Sequence, residues 1–204
     1  IQVCKYISSE YIKDHTKIFI KASIEGRLEV CKWLYEIFNL TEKDVTVNHN
    51  FLLAARNGHL EVCKWLHEIF GLTREDVISY NNRFFRCASY EGHVEVCKWL
   101  YKTFNLTKKD VTSYYNEAFR VAAGHGHLDI LKWMYKTFDL TTEDAISNNN
   151  GAYCCALNSG HLEILKWLYD TFDLRKGDLL IQHRCFRYTL RTKGRTDILQ
   201  WFES

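Results

Sequence analysis

The chain has 204 residues, 47% of them hydrophobic and 25% charged, a balance that excludes disordered and collagen-like chains. Lys and Arg number 27 against 25 Asp and Glu, a net charge of +2 without a basic or acidic block, so nucleic acid and anionic membrane have no electrostatic footprint here. Proline is absent, no apolar run reaches the ~18 residues of a membrane span, and the first residue is Ile1 with no apolar signal segment, which points to a helical piece cut from something longer.

One motif then recurs along the chain. Ile1-Gln2-Val3-Cys4-Lys5-Tyr6-Ile7 matches it with its start missing, and GRLEVCKWLYEIF shows it whole from Gly26. GHLEVCKWLHEIF follows at Gly58, GHVEVCKWLYKTF at Gly92, GHLDILKWMYKTF at Gly126, GHLEILKWLYDTF at Gly160 and a worn GRTDILQWF at Gly194. Successive glycines lie 32 residues apart once and 34 thereafter, and all six tryptophans (Trp33, Trp65, Trp99, Trp133, Trp167, Trp201) stand seven residues after the glycine. The expectation is a single array over residues 1–204. It has about five full 34-residue units, a partial unit over 1–25, broken units at both ends and no internal domain boundary.

Each repeat predicts two helices, detailed here for the one around Gly92. Helix one runs from Asn82 to Tyr90 with Phe85 and Ala88 inward. Asn48, Asn82, Asn116 and Asn150 share a column ten residues before the glycine, a good N-cap position. The glycine ends helix one by adopting the left-handed conformation of a tight turn. Helix two gathers Val94, Val96, Cys97, Leu100, Tyr101 and Phe104 on one face, with Glu95, Lys98 and Lys102 opposite. Trp99 flanks the apolar face and should pack on the neighbouring repeat. The linker follows: Thr41-x-x-Asp44, Thr73-x-x-Asp76, Thr107-x-x-Asp110 and Thr141-x-x-Asp144 have capping-box spacing, predicting a short helical turn over roughly Lys109 to Ser113. Arg175-Lys176-Gly177-Asp178 breaks that pattern in the fifth repeat.

With these columns in place the chain resembles the ankyrin repeat, through A-x-x-x-G-H-[LV]-E-V-x-K-x-L as in Ala54-Ala55-Arg56-Asn57-Gly58-His59-Leu60-Glu61-Val62-Cys63-Lys64. The likeness covers nearly the whole chain. Its KWLYE-x-F-x-LT-x-x-D flavour is similar to the divergent ankyrin arrays of large DNA viruses of amoebae. Stacked helix pairs are implied. Two departures stand out: Arg83-Phe84 and Glu117-Ala118 occupy the place of the usual threonine-proline, and the Leu-Thr-x-x-Asp turn replaces the Gly-Ala-Asp-Val-Asn segment of the β-hairpin finger. The expected fold is therefore an all-α, ankyrin-like helical repeat solenoid, without strands in linkers 74–81, 108–115 and 142–149.

Candidate chemistry is thin. Cys4, Cys31, Cys63 and Cys97 share a column with Leu131, Leu165 and Leu199, the mark of a buried small-hydrophobe site. Cys154 and Cys155 are adjacent on a helix and diverge by ~100°. Eight thiols without a C-x-x-C pair point to a reducing compartment, hence the cytoplasm, and the host's cytoplasm if the source is viral. His59, His93, His127 and His161 look like the ankyrin Gly-His turn, in which the imidazole bonds the backbone of a neighbouring turn. His125-Gly126-His127 near Cys154 lacks a third ligand-bearing element, so no metal is assigned. Without a phosphate loop or H-E-x-x-H, no catalytic residue, enzyme activity, cofactor, small-molecule substrate or membrane partner is expected.

The function this implies is a module or scaffold that binds another protein. In ankyrin arrays helix one and the linker before it line the concave face, and the columns that do not repeat are free to meet a partner. Those are Arg83, Arg86 and Tyr90 at i, i+3 and i+7, Glu117 and Arg120 in the next repeat, His125 past its end, and Tyr80, Tyr114 and Tyr115 in the linkers. Tyr and Arg are the types that dominate hot spots, each worth ~2 kcal/mol or more. Two alternatives remain: single-stranded RNA binding by a helical-repeat array, which the +2 charge opposes, and the substrate-recruiting arm of a ubiquitin-ligase adaptor.

Overall fold

The computed structural model describes residues 14–174 and 194–203, which are helices joined by turns with no strand among the described residues. The expectations placed on Ile1–Ile7, Cys4, Arg175–Asp178 and the Leu199 side chain lie outside those described. The chain divides into two compact blocks, Ile1–Leu106 and Thr107–Ser204.

In the first block α1 (His15–Ile24) pairs with α2 (Leu28–Phe38), and the short α3 (Glu42–Val45) leads to α4 (Val47–Arg56) and α5 (Leu60–Phe70). Then come α6 (Arg74–Tyr90) and α7 (Val94–Phe104). The second block holds α8 (Lys108–Val111), α9 (Ser113–Gly124), α10 (Leu128–Phe138), α11 (Thr142–Ser159), α12 (Leu162–Phe172) and α13 (Thr196–Glu203). Within each repeat the core forms where helix one's Phe and Ala positions meet helix two, as Phe51, Ala54 and Ala55 meet Val62, Cys63 and Leu66. Phe85 and Ala88 face inward as the periodicity predicts. Cys31, Cys63, Cys97, Leu131 and Leu165 are all fully buried, so the Cys/Leu column is core. Burial pushes the Cys31 thiol up to about 11 and the Cys63 thiol up to about 12, which leaves them protonated and inert.

The tryptophans join repeats. In the first block Trp65 lies 6.1 Å from Phe19 and 5.8 Å from Tyr35, both of the preceding repeat. Trp99 likewise lies 5.9 Å from Phe51 and 6.0 Å from His67. In the second block Trp167 meets Phe119 at 6.3 Å and Tyr135 at 6.0 Å, and Trp201 meets Tyr169 at 5.7 Å. The rings are tilted or edge-on, the favoured geometry for aromatic pairs.

The glycine turns interlock by a second device. Gly58 sits at φ 78°, and a Cβ there would lie 2.5 Å from Nδ1 of His93. The bare Gly26, Gly58 and Gly126 thus leave room for the histidine ring of the following repeat. Nε2 of His59 lies 2.7 Å from the Ile24 carbonyl and Nε2 of His161 lies 3.1 Å from the Gly124 carbonyl. A carbonyl only accepts, so Nε2–H donates in both. Arg195 takes the histidine's place in the last repeat and donates to the Ser159 carbonyl at 2.8 Å.

All four linker capping boxes form. At α6 the Thr73 hydroxyl accepts from the Asp76 N–H (3.2 Å), and the Asp76 carboxylate accepts from the Thr73 N–H (2.8 Å). The two bonds satisfy amides that a β finger would otherwise pair. The Thr73 hydroxyl and N–H hold the Asp76 carboxyl below its ordinary value, with Asn48 helping. A depressed folded-state pKa adds stability above the unfolded value of ~3.9, and that stability disappears as pH falls through the folded value. Thr73→Ala is therefore expected to lose ~1 kcal/mol at pH 7, with the gap from wild type narrowing below pH ~4 in urea titrations.

The asparagine column departs from the N-cap expectation. Inside α6, Tyr80, Asn81 and Asn82 are left-handed (φ 50°, 58° and 57°), and Tyr114, Tyr115 and Asn116 repeat the run in α9 (54°, 56° and 55°). An N-cap is extended, so Asn82 and Asn116 do not have the backbone of one. Asn116 instead donates through Nδ2 to the Asp144 carbonyl of the following linker at 3.2 Å. Asn48 lies inside α4 and bonds the Asp76 carboxylate. In the short second repeat the run shrinks to Thr46 alone (φ 42°), and the buried residue is Asn50, which donates to the Val45 carbonyl. The buried asparagine stands five residues after the buried linker residue in each case: Val45 and Asn50, Val77 and Asn82, Val111 and Asn116, Ala145 and Asn150. Asn50 and Asn116 thus tie the chain to its linkers rather than starting helix one.

Candidate functional site

The sequence-predicted contact residues fall on helix one and the linker before it, in both blocks. In the first block the left-handed run turns Tyr80 out of α6, and its side chain is 82% exposed. Asparagine tolerates that conformation, so the cost of about 1–2 kcal/mol falls mainly on Tyr80 and is offset by the surrounding packing. Arg83, one turn on, is exposed and makes no hydrogen bond or ion pair among the described residues. Tyr90 is exposed at the far end of α6, whereas Arg86 is half-buried.

In the second block the same run presents Tyr114 and Tyr115, exposed and with ring centroids 6.2 Å apart. Arg120 is a strut as much as a surface group. Its Nε donates to the Tyr115 carbonyl at 3.0 Å, and its Cδ occupies the space a Cβ on Gly151 would need. Glu117 is half-buried, and His125 stands apart at the end of α9, its ring stacked on His127 at 6.4 Å. Among the described residues no three His, Cys, Asp or Glu side chains converge to hold a metal ion.

Sequence reasoning missed one feature of the first block. A notch of about 230 Å³ lies between α4 and α6, with Leu52 and Phe84 in it beside Asn48, His49, Tyr80 and Arg83. The only signal was the 32-residue spacing between Gly26 and Gly58.

The model of a known family described as ankyrin repeats (3 copies) matches residues 18–113 and 84–178, most of the chain. The chain belongs to the ankyrin-repeat family. No curated protein matches it. Ankyrin repeats are protein–protein interaction modules, in general without catalysis, and the stacked helix pairs, Gly-His turns and absence of strands among the described residues make this an all-α variant of the repeat. The capping box at the finger position is the local reason, since it closes the linker into a helical turn. No described helix is long and apolar enough to cross a membrane.

Proposed function

We propose that this ankyrin array, one continuous module over residues 1–204, recruits a partner protein in the cytoplasm through its helix-one and linker surface. The surface would be the concave face typical of ankyrin arrays. Tyr80, Arg83 and Tyr90 supply it in the first block, and Tyr114 and Tyr115 in the second, with Arg86, Glu117, Arg120 and His125 at its margins. The observation that carries the reading is Tyr80. A large ring kept 82% exposed by a left-handed backbone run serves no packing purpose, and such strain clusters at binding sites. Tyr and Arg are the side chains that anchor interfaces.

The test is capture of partners from cell extract by wild type and by Tyr80→Ala/Arg83→Ala/Tyr90→Ala, with circular dichroism to show that the variant stays folded. A partner held by wild type and lost at least tenfold by the triple variant is the expected result. Retention of every partner by the folded variant would place the interface elsewhere.

A further inference from the structure

The notch between α4 and α6 has a chemistry of its own. Leu52 and Phe84 are 8% and 5% exposed and form an apolar floor, while His49, Tyr80 and Arg83 stand exposed around it. Its volume, about 230 Å³, is below the ~300 Å³ where small-molecule pockets begin, and suits one large side chain. The lining carries the Arg83 cation and no carboxylate. Asp76, the capping acid of α6, is already engaged by Thr73 and Asn48. Arg83 and His49 make no hydrogen bond or ion pair among the described residues, so both have donors to offer an incoming group.

The notch sits where the repeat spacing breaks. The second repeat is two residues short, and α4 follows a single left-handed residue, Thr46, where three precede helix one of the next repeat. Tyr80, from the three-residue run of the next repeat, lines the notch.

The geometry points to an acidic peptide segment of the partner protein as the occupant, one large apolar side chain entering over Leu52 and Phe84 while a neighbouring carboxylate pairs with Arg83. This assignment deepens the proposed function and rests on it. The charge of the rim selects the carboxylate, because a guanidinium binds that group with two parallel donors. The sunken floor selects the apolar neighbour, since a buried side chain there removes two apolar faces from water together. A single-stranded RNA would stack on Tyr80 but has nothing apolar to place on the floor.

The test uses the full chain and fluorescence anisotropy with three labelled ten-residue peptides: one leucine flanked by Asp and Glu, the same peptide with serine for leucine, and the same with lysines for the acids. Only the acidic leucine peptide is expected to bind, more weakly as salt rises. Arg83→Glu should weaken it at least tenfold and give the lysine peptide measurable affinity. Amide NMR shifts on binding should concentrate in residues 48–52 and 79–84. Equal binding of the serine peptide, no binding of the acidic leucine peptide, or a ten-nucleotide oligouridylate that shifts those amides instead would overturn the assignment. If the peptides fail while Tyr80→Ala/Arg83→Ala/Tyr90→Ala still loses the natural partner, the acidic-peptide assignment alone falls. If the folded triple variant keeps every partner, the surface reading falls and takes this assignment with it.

Discussion

Trp99→Ala is expected to lower the unfolding free energy by ~3 kcal/mol in urea titrations, the low end of the range for truncating a large core side chain because the ring is half-buried. The ring joins three elements at once. It packs on Phe51 of α4 (5.9 Å), on His67 of α5 (6.0 Å) and edge-on against Phe104 of its own helix (5.7 Å). Removing it opens a void between stacked helices whose backbones are set by other contacts, so the gap cannot close fully. Because repeats hold only to their neighbours, the loss should appear as uncoupling of one interface, with a lower m-value alongside the lower midpoint. Ile37→Ala is the control, since half of that side chain already faces water and its loss should stay within ~0.5 kcal/mol. A Trp99→Ala loss below ~1 kcal/mol would mean that the tryptophan column does not bind the repeats together.

The second large effect lies at a glycine. Gly58→Ala should cost about 3 kcal/mol or more, and Gly71→Ala about 1 kcal/mol, although both glycines are left-handed (φ 78° and 62°). Both pay the conformational penalty of a Cβ at positive φ. Only at Gly58 does that Cβ also meet the imidazole of His93, at 2.5 Å, whereas nothing lies within 4 Å at Gly71. The difference of ~2 kcal/mol is the overpacking contribution. His93→Ala in the Gly58→Ala background should recover part of it. Equal losses at the two glycines would show that the ring simply moves aside.

How far residue order reveals this protein follows from the range of each interaction. The helix pairs, the Thr-x-x-Asp turns, the buried Cys/Leu column and the left-handed glycines depend on neighbours a few residues away, and their columns repeat. Residue order alone therefore settles them. The aromatic joint was foreseeable too, because Trp65, Trp99, Trp167 and Trp201 each meet the same column one repeat earlier.

The asparagine column was misread because counting back from the glycine aligns Asn48 with Asn82, whereas burial aligns Asn50 with Asn82 by counting forward from the linker. Only the fold shows that the two missing residues lie between the buried asparagine and the glycine, eight residues from Asn50 to Gly58 against ten from Asn82 to Gly92. Arg120 illustrates the same limit: an arginine on an outward stripe became a strut because Gly151 of the next repeat gives its stem room. The notch is the clearest case. Leu52 and Phe84 belong to helix-one segments of different repeats, and neither position marks itself as a floor. Stacking brings them together, because a contact between residues 32 positions apart is set by how one repeat packs on the next and not by the neighbours of either residue.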